Sequence, residues 1–175
     1  MTKRSTTFLI ALCASLLAGL ATLALGNYRL NFSPSSAYGL WQIEPLVRAV
    51  RVGDRLFVCP PTGEITQLGR ERGYLANGLC PLNVGPLIKT VAALPGQSIE
   101  VGDQVVIDGN ALTNSTPLEV DARGRVMGRY GGGRVPKGTV FLHSEFFGSY
   151  DSRYFGPVPT EGVLGLAREV VTFAP

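Results

Sequence analysis

Leu87-Ile88-Lys89-Thr90-Val91-Ala92-Ala93-Leu94-Pro95-Gly96 is the stretch on which the reading of this chain turns. It is a compact apolar run, interrupted by one lysine and stopped by Pro-Gly. A run of about eight residues bounded by turn residues suits a buried strand. The lysine has two readings. On the solvent face of the strand it is a solubilising charge. Turned into the core, burial disfavours its ammonium form, lowers its pKa and leaves an amine able to take a proton.

Outward from this run, similar pieces recur. Arg55 to Cys59 is apolar and is ended by Pro60-Pro61; Ser98 to Ile107 is rich in β-branched residues and bends at Gly102-Asp103. Asp108-Gly109 is a two-residue hairpin signal, and Thr139 to His143 and Val163 to Phe173 read as closing strands. The chain has 22 Gly and 12 Pro, which favours turns and short strands over long helices. The expectation is a mainly β, antiparallel domain. Segments 60–86 and 110–134 are polar and rich in Gly or Pro, and are expected to leave the main sheet as excursions. Asn27 to Trp41 reads as short and irregular.

Composition bounds the function. With 175 residues, 45% hydrophobic and 17% charged, the chain is expected to form one packed domain rather than a disordered one. A net charge of +3 with no basic run argues against a nucleic-acid partner. No His/Cys spacing suits a metal, and no cofactor motif is present.

The N-terminus differs. Lys3 and Arg4 precede an uncharged segment, almost wholly apolar from Phe8 to Leu25. A helix of ~20 residues spans the hydrocarbon core. A cleaved signal segment is the alternative, with Ala21, Ala24 and Gly26 supplying small residues, but its apolar part is usually shorter, roughly 7–15 residues. The reading is a cytoplasmic tail at 1–7, one transmembrane anchor (or signal segment) at 8–26, and an exported domain at 27–175, oriented by the positive-inside rule. Cys13 falls in the anchor; Cys59 and Cys80 fall in the exported part, where an oxidising compartment makes one disulfide between them the simple reading.

Two further segments could carry chemistry. Asn31-Phe32-Ser33-Pro34-Ser35-Ser36-Ala37-Tyr38-Gly39-Leu40-Trp41 holds three serines within four positions. Alone it reads as a polar linker, and it lacks the GxSxG elbow. Phe147-Gly148-Ser149-Tyr150-Asp151-Ser152-Arg153-Tyr154-Phe155-Gly156 alone reads as a turn with a local ion pair. A serine hydroxyl is a weak nucleophile until a base takes its proton, and a desolvated lysine is one such base.

In this order, the serine cluster, Lys89 with its Leu94-Pro95-Gly96 box, Val135-Pro136-Lys137-Gly138 and Ser149-x-Asp151-Ser152-Arg153-Tyr154-x-Gly156-Pro157-Val158 resemble the type I signal peptidase superfamily of serine–lysine peptidases. The resemblance runs from the anchor to about Ala167. Asn31-x-Ser33-x-Ser35-x-x-x-Gly39-Leu40-Trp41 is similar to the nucleophile box of the conjugative-transfer branch, the TraF family.

The resemblance implies a signal-peptidase-like fold, with Ser35 as nucleophile and Lys89 as general base. Ser33 and the Ser35 N–H would form the oxyanion hole. Ser149 would hydrogen-bond the lysine, and Asp151 and Arg153 would support the site, Asp151 contributing to activity. It implies a membrane-bound precursor substrate, a pilin precursor, cleaved and in some members joined head to tail, on the periplasmic side of the inner membrane. A general signal peptidase is the alternative within the family, and a non-catalytic exported scaffold is the alternative outside it. Two departures stand out. Ala37 replaces the usual Pro, which makes Ser36 a rival nucleophile. His143-Ser144-Glu145 replaces the usual Gly-Asp-Asn, which raises His143 as a rival base beside Asp151.

Overall fold

The computed structural model describes residues 8–17, 19 and 26–175. Residues 8–17 and 19 are helical (α1) within the apolar N-terminal run. Among the described residues no helix is long and apolar enough to cross a membrane. Positions 18 and 20–25 of the expected anchor, and the expected tail at 1–7, lie outside the described residues.

The strands are β1 (Tyr28–Asn31), β2 (Tyr38–Glu44), β3 (Arg55–Val58), β4 (Asn77–Cys80), β5 (Leu87–Ala93), β6 (Ser98–Val101), β7 (Val105–Ile107), β8 (Asn110–Ala111), β9 (Gly133–Arg134), β10 (Thr139–His143), β11 (Val158–Pro159) and β12 (Val163–Phe173); α2 is Glu64–Glu71 and α3 is Ser152–Phe155. Seven strands form one sheet in the order β1-β2-β12-β3-β5-β10-β11, and four form a second in the order β8-β7-β6-β9. Their pairings are antiparallel. The mainly β expectation therefore holds.

Alternation along β5 places its side chains. Lys89 is paired with Leu56 and so shares a face with Leu56 and Val91, while Ile88 points to the opposite face. The first face carries the largest core, which joins Leu56, Val58, Val91, Val140 and Leu142 to Tyr150, Tyr154 and Phe155. Full burial of such side chains stabilises by about 1.5–3 kcal/mol each. A smaller core on the other face holds Trp41, Ile43, Phe57 and Ile88. A third, of Ala93, Ile99, Val105, Val135 and Phe141, joins the far end of β5 and β10 to the second sheet.

One expectation needs correction, and one excursion holds an element the sequence pattern does not announce. Asn27 to Trp41 is not irregular: β1 pairs with β2 from Tyr28↔Gln42 to Asn31↔Gly39, and the serines lie in the connecting loop. The hairpin is fixed from outside, because β12 pairs along the whole of β2. Gly39 allows that contact. Its φ is +121°, and a Cβ there would lie 2.2 Å from the Val171 carbonyl oxygen.

The first excursion is not only turns, since it contains α2. Gly69 within α2 argues locally against helix. Packing demands it: a Cβ would lie 2.6 Å from the Tyr150 ring. Cys59 and Cys80 are bridged and close this excursion at its base. The two excursions grip each other. Tyr74 Oη donates to Asp121 Oδ2 at 2.6 Å, Arg72 Nη1 donates to the Val126 carbonyl at 2.7 Å, and Arg125 Nη2 donates to the Arg72 carbonyl at 3.2 Å. Asp108 and Gly109 form the β7–β8 turn, both with positive φ (49° and 81°), as the hairpin signal predicts.

Candidate active site

The β1–β2 loop and strand β5 meet at one point. Lys89 Nζ donates to Ser35 Oγ at 3.0 Å across 54 positions of sequence. The lysine is 3% exposed. Burial pulls its pKa down from 10.5 to about 8; the Asp151 carboxylate opposes that shift in part and the Arg153 guanidinium adds to it. A substantial neutral fraction near neutral-to-basic pH lets this amine accept a proton from a hydroxyl at hydrogen-bond distance.

The loop that carries Ser35 is held chiefly by Asn31. Asn31 Nδ2 donates to the carbonyls of Ser33 (2.9 Å), Ser36 (3.0 Å) and Ala37 (2.9 Å), and its Oδ1 accepts from the Ser33 N–H at 3.1 Å. Trp41, fully buried, donates from Nε1 to the Ala37 carbonyl at 2.9 Å. Ser33 Oγ lies 3.0 Å from Ser35 Oγ and accepts from the Ser35 N–H at 3.4 Å. Ser36 faces elsewhere: its hydroxyl donates to the Ser35 carbonyl at 2.9 Å and to the Ile88 carbonyl at 3.5 Å.

Asp151 and Arg153 form the floor, both fully buried. Asp151 caps α3, accepting from the Arg153 N–H. Arg153 donates to the same carboxylate from Nε and Nη2, each at 2.8 Å. It also donates to the carbonyls of Ser149 (3.0 Å) and Thr116 (3.1 Å). Burial would raise the Asp151 pKa, but the His143 ring, Arg153 and the Lys89 charge outweigh it and hold the carboxyl down at about 2. A buried pair with its remaining hydrogen bonds satisfied is the arrangement in which ion pairs persist in a core.

His143, on β10 beside Thr90, places Nδ1 3.6 Å from Asp151 Oδ2, outside hydrogen-bond distance. Neither ring nitrogen has a hydrogen-bond partner, and Ser149 Oγ, also buried, has none. The Ser149–Lys89 hydrogen bond that the resemblance implied is therefore not formed. Among the described residues no group of three or more His, Cys, Asp or Glu could hold a metal. A cavity of about 660 Å³ lined by Leu46, Val50, Leu94, Val140 and Val163 opens elsewhere and includes neither Ser35 nor Lys89.

Sequence reasoning missed two residues. Asn31 stands out in the sequence only as part of a box, although Asn is a residue type that often caps local backbone groups. Ser144, whose hydroxyl reaches the Ser35 carbonyl at 2.7 Å, carried no local signal.

A buried lysine on a serine hydroxyl, backed by a sunken Asp–Arg pair, is an arrangement suited to nucleophilic attack on a carbonyl. The family described as signal peptidase, peptidase S26, matches residues 2–172, and the chain belongs to that family. It is similar to a conjugal transfer protein TraF of Agrobacterium fabrum (strain C58), at 48% identity over the whole of both chains. It is also similar to a plasmid transfer protein TraF of Escherichia coli, at 34% identity over 91% of this chain and 90% of that one. A crystal structure of a signal peptidase I from Enterococcus faecalis V583 aligns with a TM-score of 0.41 and 20% identity, covering 69% of this chain and 98% of that one.

Proposed function

We propose that this peptidase-family chain is a serine–lysine endopeptidase that processes an exported, membrane-bound precursor, a pilin precursor for conjugative transfer. The observation that carries the chemistry is the 3.0 Å contact between the Lys89 amine and the Ser35 hydroxyl in a buried setting. The relatives named for conjugal and plasmid transfer support the cellular role.

In this reading neutral Lys89 takes the Ser35 proton as Oγ attacks the scissile carbonyl. The resulting oxyanion is met by the Ser35 N–H and the Ser33 hydroxyl, donors of the kind that contribute about 3–4 kcal/mol each to the transition state. Lys89 then gives its proton to the departing amine, leaving an acyl-enzyme. Water, deprotonated by the same lysine, releases the acid; a substrate amine held there instead would form a new peptide bond. Asp151 and Arg153 hold the floor beneath the lysine. The apolar side chains of Phe8, Leu9, Ile10, Leu12, Leu16 and Leu17 on α1 are exposed, which supports residues 8–26 as an anchor, and Lys3 and Arg4 ahead of it favour the domain at 27–175 on the periplasmic side.

The test is processing of the pilin precursor in cells carrying wild type, Ser35→Ala or Lys89→Ala, read by mass of the pilin. Loss of the mature form in both variants is expected. Unchanged processing in either ends the dyad reading. An unrelated secretory precursor, cut as fast as the pilin, would favour a general signal peptidase.

A further inference from the structure

The backbone carbonyl of Ser35 is engaged twice. Ser36 Oγ donates to it at 2.9 Å and Ser144 Oγ donates at 2.7 Å. The two donors differ in kind. Ser36 is the next residue on the same loop, and its contact beyond the loop, with the Ile88 carbonyl, is long at 3.5 Å. Ser144 lies 109 positions away, directly after β10, and is 9% exposed. Its own N–H donates to Asp151 Oδ2 at 3.2 Å, and its Oγ accepts from the Phe146 N–H at 3.4 Å. One residue thus bridges the buried Asp151–Arg153 pair and the main chain of Ser35.

The other restraints on this loop bypass Ser35. Asn31 bonds Ser33, Ser36 and Ala37, and Trp41 bonds Ala37. The Ser35 N–H makes only a 3.4 Å bond to its neighbour Ser33. Among the described residues, the one side chain outside the loop that bonds the Ser35 main chain is therefore that of Ser144. Holding the carbonyl fixes the peptide plane that follows the Ser35 Cα, and with it the direction in which Oγ leaves. A misplacement of about 1 Å in a reacting group can cost about 100-fold in rate.

We propose that Ser144 is a positioning residue for the nucleophile: with its N–H bonded to Asp151, its hydroxyl holds the Ser35 carbonyl so that Oγ faces Lys89. The inference rests on the reading of Ser35 as the nucleophile. It also gives Asp151 a route to the reaction that needs no contact with substrate.

The experiment uses the full chain in detergent and an alkyl fluorophosphonate. Ser35 Oγ displaces fluoride from this probe, so its reactivity is read without knowledge of the natural substrate. Ser144→Ala is expected to lower the maximal labelling rate about tenfold, with the half-saturating probe concentration, the thermal midpoint and the pH midpoint of labelling unchanged. Ser144→Thr, which keeps the hydroxyl, is expected to stay within about threefold of wild type. Labelling of Ser144→Ala at the wild-type rate overturns the proposal. Equal slowing of both variants, or slowing matched by a lower thermal midpoint, also overturns it by assigning Ser144 a purely structural part. Ser35→Ala separates the two levels: if it still labels, the nucleophile reading itself has failed, whereas if it is silent while Ser144→Ala labels normally, only the positioning inference is lost.

Discussion

Lys89 is a cation held in a core, and that gives it a pH signature. Its pKa is about 8 in the folded chain against 10.5 for the free side chain, so between those values the unfolded chain binds more protons than the folded one. Stability therefore rises as pH climbs through that window, and below pH 8 the buried charge costs the folded state about 3 kcal/mol. Urea unfolding measured from pH 7 to 10.5 should show the rise, and Lys89→Met should flatten it. The same titration governs the proposed base: kcat/KM should climb with pH to a plateau above 8 and stand about 100-fold lower at pH 6. At this scale the contact between Ser35 and Lys89 was legible because each sits in a recognisable box. Ser144 was not, because a hydroxyl that meets a carbonyl 109 positions away leaves no pattern in either neighbourhood.

Strands and helices were legible in proportion to how much of their stability is their own. β5, β10 and β12 are apolar or β-branched runs between turn residues, and they fall where the pattern puts them. β1, with the residues Tyr-Arg-Leu-Asn, alternates apolar and polar over only four residues, too short a run to read as a strand, and exists through its pairing with β2. Helix α2 was hidden by Gly69, which the Tyr150 ring requires. The disulfide at the foot of that excursion supplies stability the helix lacks. Cys59 and Cys80 are 21 positions apart, and closing a loop of that size is worth about 3 kcal/mol. Changing both cysteines to serine should lower the thermal midpoint by about 6–12 °C. A reductant should lower the wild type equally and leave the double variant unmoved.

For the whole molecule, the sheet order matters more than any one strand. The hairpin that carries Ser35 and the strands that carry Lys89 are not backbone neighbours; β12 lies between β2 and β3 and bonds to both. A chain ending at Gly162 should therefore lose both Ser35 reactivity and protease resistance, which limited proteolysis and fluorophosphonate labelling would show together. The sequence could not announce this, since strand order depends on long-range pairing rather than on any local run. It also sets a clock. β12 follows the other described strands in chain order, so the hairpin of Ser35 and the strand of Lys89 share no sheet until it has been made. Assembly of the pair is thereby timed by the one strand that joins the two halves.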